Sequence, residues 1–196
     1  MVTLVALRAP AHADCAADAA RLRRHLVEEA HRADTWNTAW ALGFGAAAAG
    51  QLGAIDVELN PLGTYDAKFE STLYVGALKA GIGAASRVVL PLRIPIPEPL
   101  PDPCDDARSL RRAVAKAAKI ERSSFWLTIV GGTAINLAGA IYLTAKHDFG
   151  TGALSFASSL PIAPLTAFTQ PRGSLKLYKR SRVEWSVGVS SVGASF

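Results

Sequence analysis

Long apolar blocks separated by charged blocks organise the chain, and the longest uninterrupted apolar block covers residues 125–145. It carries no charge, and Asn136 is its one strongly polar side chain. A helix of about twenty apolar residues is long enough to cross the hydrocarbon core of a bilayer. Trp126 and Tyr142 lie near its two ends, where amphipathic rings favour the membrane–water interface. The pattern predicts a transmembrane helix, and a buried helix of a soluble protein is the alternative.

Three further segments, residues 38–55, 72–92 and 150–168, are apolar over a similar length. In the first two, Gly and Ala recur at three- to five-residue steps, which lets helix backbones approach closely in lipid. Pro161 and Pro164 are expected to kink the last segment, as membrane helices tolerate where neighbouring groups satisfy the freed backbone. The four segments together predict a compact bundle of four helical spans.

A charged amphipathic helix is predicted before the first and before the third span. In residues 14–33 and 105–122, apolar residues recur at helical spacing, and charged residues, mostly Arg and Lys, fill the other faces. Nothing between these helices and the following spans breaks a helix, so each pair is expected to form one continuous helix. Such a basic amphipathic helix is typical of a membrane-surface segment or of a helix packed on another helix.

The two charged helices resemble each other, which predicts an internal repeat. An offset of 88 residues aligns Asp18 with Asp106, Ala19 with Ala107, and Leu22-Arg23-Arg24 with Leu110-Arg111-Arg112. Residues 14–92 and 105–170 then form two units, each with a basic helix and two spans. Because each unit holds an even number of spans, the repeats are expected to be parallel. Chance similarity between Ala- and Arg-rich helices is the alternative.

The remaining segments are predicted to be short and irregular or extended. Residues 1–13 combine a short apolar run with a small-x-small pattern before Asp14, which suggests the remnant of a signal peptide. Residues 93–104 are proline-rich and predict a non-helical linker. In residues 171–196, apolar positions alternate, as Leu175 and Leu177 do, which predicts a C-terminal β-hairpin. The expected fold class is therefore mainly α, a four-span membrane bundle of two parallel helix repeats with a short β-hairpin.

The only two cysteines, Cys15 and Cys104, fall at near-equivalent positions of the two repeats. A disulfide between them would join the two helix starts and would require an oxidising compartment. Lys and Arg, however, concentrate on that same side of the predicted membrane, and the positive-inside rule assigns such a side to the cytoplasm. The two indications conflict, so the sequence leaves the side of the termini undecided.

Four polar residues within the apolar segments are candidates for intramembrane function. Lys79 lies several residues inside its segment, where charges usually face a bundle interior or a water-filled path. Snorkelling toward the headgroups is the alternative, and it suits Arg87 better than Lys79. Gln51 and Asn136 are suited to hydrogen bonds between helices, worth about 1 kcal/mol each.

Composition and motifs narrow the function classes. The net charge of +5 is compatible with nucleic acid or with anionic lipid. No nucleic-acid-binding pattern accompanies the charge, so lipid is the favoured partner and nucleic acid is not expected. The sequence lacks nucleophile, nucleotide and zinc-protease motifs. His25 and Glu29 are four residues apart on one helix, but two residues do not make a metal site. No catalytic, cofactor-binding or metal-binding residue is therefore predicted.

The function predicted from the sequence is that of a non-enzymatic membrane protein of the cell envelope. It would act as a structural or assembly subunit, with the lipid bilayer and a protein partner or further copies of itself as its partners. The inner membrane is favoured over the outer, because alternating ten-residue strands do not run through the chain. The alternatives are a small transporter or channel that uses the intramembrane polar residues, and a soluble periplasmic helical protein.

Overall fold

The computed structural model describes residues 9–56 and 67–180, and almost all of them are helical. Five helices follow one another along the chain: α1 (Ala9–Asp56), α2 (Ala67–Val89), α3 (Pro103–Lys146), α4 (Phe149–Ser159) and α5 (Ile162–Phe168). Residues 173–180 are also helical, and no strand occurs within the described ranges. The prediction of a mainly α fold is confirmed.

The chain divides into two compact units, and α1 and α3 contribute to both. Unit 1 contains the described residues up to Ala33, Arg93–Arg122, and the described residues from Pro171 onward. Unit 2 contains Asp34–Leu92 and Ser123–Gln170. Unit 1 therefore contains the charged helix of each predicted repeat, and unit 2 contains the two apolar segments of each.

The two long helices form because nothing interrupts them between their charged and apolar parts. α3 begins with Pro103, whose fixed φ suits the first helical position, directly after Asp102. The Asp102 carboxylate accepts the N–H groups of Cys104 and Asp105 at 2.8 and 2.9 Å, which caps the helix. Residues 91–100, rich in proline, adopt no secondary structure, whereas residues 103 and 104, the end of the predicted linker, already belong to α3.

The last apolar segment is broken rather than merely bent. α4 ends at Ser159 and α5 begins at Ile162, with Pro161 between them, since proline has no N–H to continue the hydrogen-bond ladder. At its other end α4 is capped by Asp148, whose carboxylate accepts the N–H of Thr151 at 2.9 Å. Lys68 also donates to this carboxylate at 2.6 Å. These hydrogen bonds lower the pKa of Asp148 to about 2, and the one from Lys68 has the largest effect.

The predicted C-terminal strand is wrong where it can be checked. Residues 173–180, which include Leu175 and Leu177, are helical, and the rest of the predicted hairpin lies outside the described residues. The physical reason is non-local: carboxylates of α1 and α3 accept the first N–H groups of this segment, which a helix leaves unpaired. Residues 9–13 of the predicted signal remnant begin α1, and residues 1–8 lie outside the described part.

Candidate functional site

In unit 1 Cys15 and Cys104, whose bonding the sequence left open, form a disulfide, with 4.9 Å between the two Cα atoms. It joins the first turns of α1 and α3. Below it, the apolar faces that the sequence predicted are buried against each other, with Leu26 and Leu110 fully enclosed. The joined starts and the shared core mean that the charged parts of α1 and α3 run side by side in the same direction.

Two ion pairs cross between these helices in a reciprocal pattern. Arg23 of α1 contacts Asp106 of α3 at 2.8 Å, and Arg111 of α3 contacts Asp18 of α1 at 2.8 Å. The 88-residue offset aligns Asp18 with Asp106 and Arg23 with Arg111. Partial burial of Asp18 raises its pKa, but hydrogen bonds from Arg21 and Arg111 outweigh that effect, and the net shift is downward. The carboxylate is therefore ionised under ordinary conditions.

The proline-rich segment, residues 91–100, is hydrogen-bonded to the charged parts of α1 and α3. Arg23 donates to the carbonyl oxygen of Pro97 at 2.8 Å, and the N–H of Leu100 donates to Asp106 at 3.2 Å. Ile94 is buried. The segment predicted as a linker is thus part of the packing of unit 1.

Two buried carboxylates, Glu29 and Glu121, hold the start of the helical residues 173–180. Glu29 accepts the N–H of Gly173 at 2.8 Å. Glu121 accepts the N–H groups of Ser174 and Leu175 at 3.2 and 2.8 Å. Burial raises the pKa of Glu121, against the lowering effect of these hydrogen bonds.

Sequence reasoning missed the role of these carboxylates, although a signal exists. Glu29 continues the stripe of Leu22 and Leu26, and Glu121 continues that of Leu110 and Val114, at helical spacing. A glutamate on a buried stripe needs a partner, since a buried charge without one is costly. The His25–Glu29 pair is not part of a metal-binding group, as the described residues contain none.

In unit 2 the helices pack in alternating directions through small residues. Gly83 of α2 faces the Phe44 ring of α1, and Gly132 of α3 faces Ala163 of α5; a methyl group at either glycine would crowd its neighbour. Gln51 of α1 lies against Gly76 of α2. Successive contacts run in opposite order along neighbouring helices, because Phe44 meets Gly83 whereas the later Gln51 meets the earlier Gly76, so α1 and α2 are antiparallel.

The structure brings three of the four predicted intramembrane candidates to one cavity. Lys79 Nζ donates to the hydroxyls of Ser155 and Ser159 of α4, both at 3.2 Å. Asn136 Nδ2 donates to the carbonyl oxygen of Ser159 at 3.1 Å, at the break between α4 and α5. Gln51 does not line this cavity.

Arg87 is the other cation of the cavity. It donates to Thr128 Oγ1 at 3.2 Å, and its guanidinium lies 4.4 Å from the centroid of the Trp36 ring. The cavity has a volume of about 260 Å³. Among the described residues, those that line it include two cations, several hydroxyls and one amide, but no carboxylate.

The surface of unit 2 is unusually apolar. Of the large apolar side chains that the described residues expose, all but three (Val27, Ile96 and Leu100) lie in unit 2. Leu127 is 65% exposed and Val130 is 62% exposed. By length and composition, α3 is the one helix among the described residues that could cross a membrane, and only 11% of its apolar window is buried.

No protein-family model, no curated protein and no solved structure matches the chain.

Proposed function

We propose that the protein is a non-enzymatic integral membrane protein of the cell envelope, with unit 2 in the bilayer and unit 1 outside it. The observation that carries this proposal is the inverted distribution of polarity in unit 2. Its surface exposes large apolar side chains, while its interior buries Asn136, Ser155, Ser159 and Thr166 among alanines. In water, exposed apolar surface costs about 25 cal/mol per Å². In lipid that cost disappears, and small and polar residues hold helices together.

The four helical passes of unit 2 would then be the four spans predicted from the sequence. They are the end of α1, then α2, the end of α3, and α4 with α5. The first pass is rich in alanine and glycine, so its insertion would depend on the more apolar α3 beside it. Exposed Trp126 and Tyr142 near the ends of the α3 pass suit the two interfaces.

The crossed ion pairs support the proposal that the two halves are repeats. A contact related by two-fold symmetry implies its own counterpart, because each residue of the pair occurs once in each half. Arg23 with Asp106 and Arg111 with Asp18 stand in that relation. An axis parallel to α1 and α3 would relate the halves, as expected for parallel repeats.

The disulfide favours an oxidising compartment for unit 1, the periplasm or the cell exterior. The opposing indication is the concentration of Arg and Lys in unit 1. Several of those cations are paired within the unit: Arg21 with Asp18, Arg32 with Glu28 and Arg108 with Asp105, besides the crossed pairs. Paired charges are expected to orient a membrane protein less strongly than free ones.

A structural or assembly role is supported by an open face of α1. Gly43, Gly50 and Gly53 have no neighbouring atom within 4 Å of a side chain built there. Ala46 and Ala47 are exposed beside them. Small residues at such spacing let a second transmembrane helix approach closely. We propose that this face binds α1 of another copy.

A pair of matched substitutions tests the membrane assignment. Val130 of unit 2 and Val27 of unit 1 are both exposed, at 62% and 50%. Val130→Lys should impair membrane insertion, because a lysine within a span costs up to about 2.5–3.5 kcal/mol, the value at the centre, and Val130 is the sixth residue of the 125–145 segment. Val27→Lys should be tolerated. The measurement is the fraction of protein that stays in membranes after alkaline carbonate extraction.

A soluble protein would give the opposite pattern. Wild-type protein would appear in the carbonate supernatant, and Val130→Lys would leave its yield unchanged or improved, as for any exposed apolar residue replaced by a charge. Either result contradicts the membrane proposal and favours the soluble periplasmic alternative.

A small transporter or channel is the second candidate, and the cavity that holds Lys79, Arg87 and Asn136 favours it. Lys79→Ala separates the two roles. Loss of solute flux in proteoliposomes supports transport, whereas loss of self-association or of a co-purifying partner with unchanged flux supports assembly.

A further inference from the structure

We propose that the cavity of unit 2 binds one phosphate-class oxyanion between Lys79 and Arg87. The anion is either free phosphate or the phosphate of a lipid headgroup. This inference rests on the proposal that unit 2 lies in lipid, because the cost of unpaired charge is highest there.

The first argument is charge balance. Lys79 and Arg87 line one cavity, and no carboxylate of the described residues lines it with them. Asp148, a carboxylate of unit 2, is bonded to Lys68 instead. Charged side chains inside a membrane protein are retained when they pair or line a polar path. Free phosphate as a dianion would compensate both cations, whereas the phosphodiester of a lipid headgroup, with one negative charge, would compensate one of them.

The second argument is the supply of donors that have no acceptor. Arg87 Nε is buried and has no hydrogen-bond partner, although the same guanidinium donates to Thr128. A buried donor left unpaired is destabilising. Nε is shielded from the cavity in this structure, so a tetrahedral oxyanion would accept from a terminal nitrogen first, and the bidentate arrangement favoured by arginine and phosphate requires the guanidinium to turn.

Lys79 also has a hydrogen-bond donor available for an anion. Its ammonium group has three N–H donors, and the hydroxyls of Ser155 and Ser159 accept two of them. The two serines fix the position of the ammonium and leave one donor for a ligand. Ser124 supplies a further hydroxyl in the lining.

The size and shape of the cavity fit a small anion. Lys79 and Arg87 are eight residues apart on α2, so their Cα atoms lie about 12 Å apart along the helix. Both side chains are long enough to reach a group between them, where Gly83 and the Phe44 ring that packs on it also line the cavity. The volume of about 260 Å³ is below that of sites for drug-sized ligands. Leu127, Ile135 and Ile162 add an apolar wall that an acyl chain could contact.

The test uses the full chain purified in a phosphate-free, non-ionic maltoside detergent and washed free of lipid. Binding of inorganic phosphate is measured by isothermal titration calorimetry, against sodium chloride at the same ionic strength. Binding of phosphatidylglycerol from mixed micelles is measured by native mass spectrometry. We expect one equivalent of one of these probes per chain.

The variants Lys79→Gln and Arg87→Gln should each weaken binding by at least tenfold. Lys146→Gln is the control: Lys146 lies in unit 2, bonded to Ser71, and does not line this cavity. Thr128→Val keeps both charges and removes one lining hydroxyl, so it should weaken binding less. A rise of the wild-type melting temperature with the bound probe, absent with chloride, reports binding without any variant.

Each outcome is decisive. Phosphate binding that depends on both cations supports a free anion, and binding of phosphatidylglycerol alone supports a lipid headgroup. Failure to bind either probe, or equal binding by Lys146→Gln, Lys79→Gln and Arg87→Gln, overturns the inference. Carbonate extraction of each variant is run in parallel: loss of binding with insertion intact affects only the anion site, whereas extraction of wild-type protein removes the membrane proposal as well.

Discussion

Cleavage of the Cys15–Cys104 disulfide should lower the free energy of unfolding of unit 1, and the length of the loop that the bond closes sets the upper limit of this effect. The bond has a sequence separation of 89 residues, for which the chain-entropy model gives about 4–5 kcal/mol. That value assumes a fully flexible unfolded loop. The loop contains α2 and the apolar end of α1, and in the proposed membrane arrangement these helices would persist when unit 1 unfolds and would restrict it. We therefore expect a loss of about 2–4 kcal/mol in the free energy of unfolding of unit 1.

The other contacts of unit 1 determine how much of its structure remains after the disulfide is reduced. Leu26 and Leu110 stay buried, and the crossed ion pairs do not depend on the sulfur atoms. Burial of a leucine side chain contributes about 1.5–3 kcal/mol. The charged helices should stay paired after reduction but open more often, while the apolar segments in unit 2 should be unaffected.

Hydrogen–deuterium exchange resolved by peptide measures this difference locally. Exchange of residues 14–33 and 105–122 should accelerate on reduction, by about 30-fold for 2 kcal/mol, while residues 125–145 serve as the internal reference. The double variant Cys15→Ser/Cys104→Ser should match reduced wild-type protein and should not respond to reductant, since the chain has no other cysteine. Unchanged exchange in protein whose bond is demonstrably cleaved would refute the reasoning. Free thiols in protein taken directly from cells would refute the oxidising compartment.

Three further predictions concern other parts of the fold. Gly173→Ala should cost about 1–3 kcal/mol in chemical unfolding, because its methyl group would overlap the Glu29 carboxylate; a cost no larger than that of Gly81→Ala, which has open space, would contradict it. Burial raises the pKa of Glu121 above 4.5, so the folded state binds its proton more tightly than the unfolded chain does. The free energy of unfolding should therefore fall as pH rises from 4.5 through the raised pKa, and Glu121→Gln should remove that slope in melts recorded across this range. Gly50→Leu should reduce self-association in single-molecule photobleaching, whereas Gly81→Leu should not; equal effects would exclude the proposed face of α1.

The elements that the sequence predicted well depend on local pattern. The continuity of α1 and α3 follows from the absence of helix breakers, and the break near Pro161 follows from the chemistry of proline. The alignment of the two similar helices placed Cys15 and Cys104 at near-equivalent positions, and it left open whether they are bonded, because the distribution of Lys and Arg pointed to a reducing side. Local signals of this kind survive folding because no distant contact opposes them.

The elements that it missed depend on distant contacts. Alternation of Leu175 and Leu177 predicted a strand, but the N–H groups that begin residues 173–180 are accepted by Glu29 and Glu121. The cavity could not be predicted from the sequence either, because its residues come from different helices: Lys79 and Arg87 from α2, and Asn136 from α3. Depth within an apolar segment identified Lys79 as a candidate but could not name its partners.

The proposed repeat accounts for where the cavity forms. In unit 1 the halves keep matched residues, and the crossed ion pairs leave both charges of each pair satisfied. In unit 2 the halves differ: α2 is unbroken, whereas Pro161 separates α4 from α5. A helix break frees carbonyl groups that must find donors inside an apolar environment. Asn136 meets that need at the carbonyl of Ser159, and Lys79 bonds the hydroxyls just before the break. The polar site therefore lies beside the helix break, the feature that distinguishes the second predicted repeat from the first.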